Sequence, residues 1–393
     1  MAIVFVSNYI NHHQLPLSEE LFRLSGGDYI FLQTEPISEE RIKMGWDASL
    51  AQKPYVRNFD DDPEVAKKLI FDSEYVIFGG TENEELIIPR LEAGKFTVRY
   101  NERLYKEGRW KFISPRGLLQ KYHDHIRFRK APVYMLCAGA YTAGDFHMIG
   151  AYPKKTLKFG YFPETVVYDN LNEKRSDDEK VNILWAARFI DWKHPERMLS
   201  LAEFLDKSMT TFTITMVGTG ELLEKTIDDA RNLNNYRSYK DENGIRKITF
   251  ESGSEILFTG PKTPEEVREL MLSNDVFIST SDQKEGWGAV INEAMNSGCV
   301  TVAAREIGAA PWLLQEFAGY TYKFKDIEEF HAKVFLAIAM AKEDEKRATG
   351  KRAYDIIQNE WNAKVAAERL YEFLTTKGAT IDKYTSGPMS RAK

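Results

Sequence analysis

Along the whole chain, short apolar runs rich in β-branched and aromatic residues alternate with longer stretches whose apolar positions recur every three or four residues. That alternation is the pattern of parallel strands covered by helices. In the first half it predicts strands at 3–7, 29–33, 75–78, 96–100 and 133–137, and helices near 18–24, 63–71, 84–91 and 117–129. The stretch TVVYDNLNEKRSDDEK (165–180) is polar, charged and poor in apolar residues, so it reads as a linker. A second series follows, with strands at 181–187, 213–217, 256–259, 276–280 and 300–303 and helices at 195–206, 221–232, 264–272 and 288–296. Between them a polar insertion, NNYRSYKDENGIRK, predicts a hairpin turning at Asn243 and Gly244. Helices at 327–340 and 344–375 close the chain, and the tail after Gly378 reads as frayed.

The expected class is therefore α/β, with two Rossmann-like domains at 1–165 and 181–355, a terminal helix at 356–375 and a tail at 376–393. A length of 393 residues is enough to give each domain its own core. Open sheets of this kind bind ligands beyond the carboxyl ends of their strands, so chemistry is sought there, in a cleft between the domains. Composition narrows the function only a little. The net charge of −6 argues against nucleic acid as a partner. Cys137 and Cys299 both lie in apolar stretches and read as buried free thiols, too few for a disulfide framework or a cysteine metal site. The start MAIVFVSNYI lacks a basic segment and reads as a first strand rather than a signal peptide. No apolar run approaches the roughly 18 residues needed to cross a bilayer, so the chain is expected in the cytoplasm or at most on the inner membrane surface.

The most informative stretch is VFISTSDQKEGWGAVINEAMNSG. A strand ends at Thr280, a loop carries Glu285, and Gly286-Trp287-Gly288 turns into a helix bearing Glu293. Glycines let the backbone approach a phosphate, and a helix start offers free N–H groups to it. Glu293, about two turns beyond Glu285, lies on much the same helix face, and a carboxylate accepts well from a ribose diol. Taken alone, the two glutamates are read as easily as solvated helix residues.

The Glu-x7-Glu spacing with its glycines resembles the signature of the family-four retaining glycosyltransferases of the GT-B fold. Three further stretches match that family in order: WAARFIDWKHPE, MVGTGELLEK and FTGPKTPEEVRELMLSNDVFIS. The resemblance spans about 181–314. It implies that Arg188 and Lys193 bind the donor diphosphate, where two fixed cations neutralise the leaving group. It further implies that Gly218 and Gly220 admit the nucleotide, that Gly260 and Lys262 lie beside the base, and that Gly286, Trp287 and Gly288 complete the site. Glu285 is assigned to orienting the donor sugar and Glu293 to holding ribose. By the same resemblance the donor is a nucleotide-sugar co-substrate, UDP-sugar favoured, with no separate cofactor, and the transfer of a hexose retains configuration. The terminal helix is expected to return to the first domain, and surface polysaccharide assembly on a glycan or lipid-linked acceptor is the implied setting. Two departures stand out. Thr280-Ser281 replaces the usual Pro-Ser, and Ile307-Gly308-Ala309-Ala310-Pro311 replaces a common Gly-Gly turn. A nucleotide-sugar epimerase or phosphorylase of this fold, and a non-catalytic nucleotide-sugar-binding subunit, are the alternatives.

The first half lacks the family's glycine-rich first loop. SNYINHHQLPLSEEL stands there instead, placing Asn11, His12, His13 and Gln14 after strand one. His12 and His13 are candidates for hydrogen-bonding a sugar or supporting proton transfer, against a turn role for one of them. Gly79-Gly80-Thr81, Glu102-Arg103, Asp145 and His147 are further candidates at strand ends, with an internal ion pair as the other account of Glu102 and Arg103. The basic, aromatic-interleaved stretch 109–130 reads either as peripheral membrane contact or as an ordinary helix packed on the sheet. Asp60-Asp61-Asp62 has the form of a metal motif, but Asp62 before Pro63 reads as a helix cap, and no metal is expected.

Overall fold

The computed structural model describes residues 2–39, 42, 47–81, 83–108, 114–171, 173–175, 180–315, 317–342 and 348–393. The chain forms two compact units. One comprises Met1–Glu164 with Asn359–Lys393, and the other Thr165–Gln358.

The first unit is built on strands β1 (Ile3–Ser7), β2 (Tyr29–Gln33), β3 (Val56–Asn58), β4 (Tyr75–Gly79), β5 (Thr97–Asn101), β6 (Val133–Ala138) and β7 (Thr156–Phe159). Among the described residues they form one parallel sheet in the order β3-β2-β1-β4-β5-β6-β7. Every residue of β1 and β4 is buried. This is why IVFVS and YVIFG read as unbroken apolar runs, since central parallel strands are covered on both faces. The connecting helices are α1 (Leu15–Leu24), α2 (Pro63–Asp72), α3 (Glu84–Glu92), α4 (Pro115–Asp124) and α5 (Thr142–Met148). Asp62 accepts the Val65 N–H at 3.1 Å, with Pro63 in the first helical position. The aspartate run therefore starts α2 by capping it. The predicted helix at 117–129 is shorter. It ends at Asp124, His125 leaves the helical region, and a 3-10 turn Ile126–Phe128 follows.

The second unit holds β8 (Val181–Ala186), β9 (Phe212–Val217), β10 (Tyr236–Glu242), β11 (Ile245–Phe250), β12 (Glu255–Phe258), β13 (Val276–Ser279), β14 (Val300–Ala304) and β15 (Gly319–Tyr322). Their order, again among the described residues, is β10-β11-β12-β9-β8-β13-β14-β15. Only the β10–β11 and β11–β12 pairings are antiparallel. The predicted hairpin turns where Asn243 and Gly244 both have positive φ, 54° and 76°, the backbone a two-residue hairpin requires. Helices α6 (Glu196–Lys207), α7 (Leu223–Arg231), α8 (Pro264–Ser273), α9 (Val290–Asn296), α10 (Ala310–Leu313), α11 (Ile327–Lys342) and α12 (Ala348–Asn359) complete the unit. Leu184, Val217, Met271, Phe277, Ala294 and Cys299 form part of its core, and both cysteines are buried free thiols.

Three expectations need correction. The stretch at 165–180 is no bare linker. Arg175 is buried and donates to the Ser297 carbonyl at 2.9 Å, and the Tyr168 N–H reaches the Tyr354 hydroxyl at 3.1 Å. A guanidinium satisfying a helix-end carbonyl fixes the segment to the second unit in spite of its polar composition. The long final helix is two. Helix α12 ends at Asn359, and α13 (Ala363–Thr375) restarts with Asn362 accepting the Val365 N–H at 2.9 Å. Residues 344–347 of that prediction lie outside the described residues. Helix α13 packs on α1, and Phe373 packs against Phe96 and Tyr134. The tail is also not frayed. The Lys158 N–H donates to Ser390, the Met389 N–H to Lys158 and the Ala392 N–H to Thr156, at 2.7, 2.7 and 3.1 Å. The tail thus pairs with β7, the open edge of the first sheet, and buries Met389 and Ser390.

Candidate functional site

In the second unit the strand order reverses between β8 and β13, so the loops leaving those two strands lie side by side. A buried pin joins them. The Trp185 indole donates to the Thr280 hydroxyl at 2.8 Å, and that hydroxyl donates to the Lys193 carbonyl at 2.5 Å. A buried indole N–H needs an acceptor, and here the acceptor also sets the height of the next loop. Thr280 supplies that hydroxyl. The Asp282 N–H adds a bond to the Trp192 carbonyl at 3.0 Å.

On this frame Lys193 meets Glu285, ammonium to carboxylate, with both side chains largely buried. Arg188 stands five residues earlier on the same loop. Its guanidinium packs over the Trp192 ring at 5.5 Å and has no carboxylate partner among the described residues. The next loop, after β9, crosses close beneath. The Phe189 N–H donates to the Thr219 carbonyl at 2.9 Å, and the Leu222 N–H to the Phe189 carbonyl at 2.9 Å. A Cβ on Gly218 would sit 2.0 Å from the Ala187 carbonyl oxygen, and one on Gly220 would sit 2.4 Å from that of Phe189. Both glycines also have positive φ, 132° and 152°. Loop-on-loop packing therefore requires them before any nucleotide is considered. The Gly260 carbonyl accepts the Gly218 N–H at 2.9 Å, which brings the loop after β12 to the same place.

The remaining predicted residues divide. Gly286 and Gly288 flank Trp287 ahead of α9, which begins at Val290 rather than Gly288. Trp287 itself is fully buried, with its indole N–H on Asn292 at 2.9 Å. Its ring is a core anchor for the turn. Lys262 is drawn onto Glu266 at 3.3 Å, in the first turn of α8. Burial pushes the Glu293 carboxyl up to about 7; Arg268 pulls the other way and Glu265 adds to the rise.

Sequence reasoning missed His194 and Asp282. Burial opposes a charged ring at His194. Hydrogen bonds to Asp282 and Glu196 outweigh it and lift the imidazole to about 9. Its ring lies between those two carboxylates, 3.5 Å from Asp282 and 2.8 Å from Glu196. The stabilisation is complete below the ordinary pKa of about 6.5 and is lost as pH rises through about 9. Lys284 adds a further tie to Asp191 at 3.2 Å. The available signal was alternating charge on the two loops, Asp191, Lys193 and His194 against Asp282, Lys284 and Glu285. It becomes visible only once β8 and β13 are known to be neighbours.

The first unit reverses its strand order between β1 and β4, and a cavity of about 610 Å³ opens there. Residues just beyond β1, β4 and β5 line it, among them Asn8, Gly80, Thr81, Asn101, Glu102 and Arg103. His13 lines it with Asn11 and Gln14, its ring stacked toward Tyr161 with centroids 6.3 Å apart. His12 is not among the lining residues, and its ring rests against His13 at 3.9 Å. Glu102 holds Lys106 and accepts the Tyr161 hydroxyl at 2.8 Å. Arg103 pairs with fully buried Asp145 at 3.4 Å, and Asp145 also accepts the Tyr105 N–H at 3.1 Å. Asp145 thus sits behind the lining, while His147 is exposed and bonds Thr156 at 3.2 Å, away from the cavity.

Both sites lie at the strand ends where open α/β sheets carry their ligands. Residues 169–355 match the family Glycosyl transferases group 1. The group 1 match takes in nearly the whole second unit. No curated protein matches the chain by sequence. Among solved structures, HepE of Anabaena in complex with UDP and glucose has a TM-score of 0.62 at 13% identity, over 96% of this chain and 100% of that one. A glycosyltransferase from Rickettsia africae reaches 0.67 at 13% identity, over 96% and 98%. WaaG, a glycosyltransferase involved in lipopolysaccharide biosynthesis, reaches 0.56 at 12% identity, over 95% and 99%. At such identities the likeness establishes the fold, which is GT-B. The four stretches that carried the family resemblance all lie inside the group 1 segment, and His13 and the cavity of the first unit lie outside it.

Proposed function

We propose that this protein is a glycosyltransferase that moves a hexose from a nucleotide diphosphate donor, UDP-sugar favoured, to a glycan or lipid-linked acceptor in surface polysaccharide assembly. The observation that carries the proposal is the placing of Arg188 and Lys193 on one loop at the β8/β13 switch point, with Glu285 on the loop beside it. Two cations there neutralise the diphosphate as charge builds on the leaving group, and Glu285 steers Lys193 until the donor sugar takes over its oxygens. Glu293 holds the ribose diol. Anomeric configuration is retained, the acceptor hydroxyl entering on the face the diphosphate leaves. The departing phosphate oxygen takes the proton, so the protein works by positioning and charge. Arginine and lysine supply the positive charge, so no divalent metal is needed.

Thermal shift with nucleoside diphosphates is the direct test. UDP at a hundredfold over its Kd adds about 2.7 kcal/mol of stability. Transfer from UDP-sugar to glycan mixtures is expected to continue in excess chelator. Activity lost to chelator and restored by Mn²⁺ would overturn the metal-free account. Epimerised or phosphorolysed donor with no acceptor product would move the protein to another reaction on the same fold.

One observation favours contact with a membrane surface. On α4, Leu119 and Tyr122 are 70% and 54% exposed, with Arg116 one turn earlier on the same face. Arg127, Arg129 and Lys130 follow, all exposed. Apolar side chains ringed by cations suit an anionic bilayer. Residues 109–113 of that stretch lie outside the described residues, and no described helix is long and apolar enough to cross a membrane. Co-sedimentation with anionic vesicles at low salt is expected and should weaken in Leu119→Ser; a chain left in the supernatant removes the idea.

A further inference from the structure

His194 stands next to Lys193 at the end of the loop after β8, with φ 50° and ψ 57°. Glycine adopts that left-handed backbone without steric cost, so the turn itself does not call for an imidazole. Both ring nitrogens are nevertheless engaged. Nε2 faces Asp282 at 3.5 Å and Nδ1 faces Glu196 at 2.8 Å, while the ring packs on Phe324 with centroids 4.6 Å apart. Asp282 is buried, and its other oxygen accepts the Lys284 N–H at 2.8 Å, in the turn that delivers Glu285. The Lys284 ammonium is committed to Asp191 at 3.2 Å, so the imidazole is the cation that bonds Asp282. The two acids beside the ring lift it to about 9, which keeps it charged at neutral pH. Arg197, the next cation along, packs on the same Phe324 ring at 4.2 Å. The balance of charge on the two loops is then close. Lys193 is matched to Glu285, Lys284 to Asp191 and His194 to Asp282, which leaves Arg188 as the net charge. Without a charged ring at His194, Asp282 cancels Arg188.

We infer that His194 is a positioning residue of the donor site, whose ring covers the Asp282 carboxylate so that the loop carrying Glu285 sets no uncovered negative charge against the diphosphate. The inference rests on the reading of Arg188 and Lys193 as the diphosphate's partners. The imidazole touches neither phosphate nor sugar in this account. It acts through Asp282, because a buried carboxylate beside a polyanion repels it strongly once its own cation is gone.

The test is UDP affinity of the full-length protein, measured by calorimetry at neutral pH and well below the melting temperature. Wild type, His194→Asn, Asp282→Asn and the double variant are compared. Asparagine tolerates the left-handed backbone at 194, and at 282 it keeps an oxygen for the Lys284 N–H. His194→Asn is expected to bind UDP about tenfold more weakly. Adding Asp282→Asn should bring the affinity back to within about threefold of wild type, and Asp282→Asn alone should bind no more weakly than wild type. A ring that served only to pack the loops together gives no such rescue, since an amide at 282 does not rebuild its contacts. Unchanged affinity in His194→Asn overturns the inference, as does a loss that Asp282→Asn leaves in place or deepens. Should His194→Asn not fold, His194→Gly, which fits the same backbone, replaces it. Binding about tenfold weaker in Asp282→Asn alone overturns the inference whichever variant at 194 is used. If wild type binds no UDP, the donor reading falls and takes the inference with it. Wild-type binding without rescue sinks the inference and leaves the donor reading standing.

Discussion

At the β8/β13 switch point the adjoining loops carry Arg188, Lys193, His194, Asp282, Lys284 and Glu285, tied across by ion pairs and a buried hydroxyl. At the β1/β4 switch point of the other unit, the same architectural position is lined by amides, tyrosines and cations already matched to acids. One kind of sheet thus carries two chemistries, and the group 1 match covers the first and stops short of the second. A diphosphate makes the same demand wherever it is bound: fixed positive charge and backbone that comes close. The first unit's cavity offers neither, since its two cations are held by acids.

The sharpest way to break this contrast is to remove a cation from each side. Lys193→Ala should lower turnover by about 10²–10³-fold, the cost of losing one preorganised charge from a developing leaving group. Its fold should be unchanged by circular dichroism, because Lys193 contributes one side-chain ion pair and its carbonyl bond to Thr280 remains. Lys106→Met, the matching change in the first unit, should alter turnover by less than about tenfold, since its charge is already committed to Glu102. Comparable losses in both variants would erase the distinction drawn here.

A second test concerns how the second site is built. Gly218→Ala forces a methyl group to within 2.0 Å of the Ala187 oxygen at φ 132°. The expected cost is roughly 3 kcal/mol, or about 6–12 °C in the melting of that unit. A variant that melts with wild type yet loses UDP would show the glycine serving the nucleotide rather than the crossing of the two loops.

How far the sequence revealed all this depends on which forces were local. Strands such as IVFVS and VFIS were legible because burial on both faces leaves no polar positions. Lys193 and Glu285 were each legible as site residues only through the family resemblance, and their pairing across 92 residues was not read from the sequence. The His194–Asp282 contact was not legible at all, because nothing local distinguishes a histidine that bridges two loops from one in solvent. Tail pairing was missed for a related reason. Residues 389–392 look like a loose end until β7 is known to be an open edge. In the first unit, His12 and His13 are identical by sequence, and only the turn into α1 decides which ring reaches the cavity.

The smallest effect separates the two units most finely, because it concerns a buried charge that only the second unit would use. Glu293 has its carboxyl pushed up to about 7 by burial, so in the free protein it is about half protonated at neutral pH. The unfolded chain loses that proton near pH 4.3 and the folded chain keeps it to about 7, so stability falls as pH rises across that window and levels off above it. Glu293→Gln removes the penalty and should melt higher than wild type at pH 8 while matching it near pH 4. Ribose binding has the opposite sign, since the ionised carboxylate is the better acceptor for a diol. UDP affinity in Glu293→Gln should therefore fall about 3–10-fold at pH 8 and stay near wild type at pH 5. A variant more stable at pH 8 with undiminished UDP binding would leave Glu293 as a buried acid with no ribose to hold.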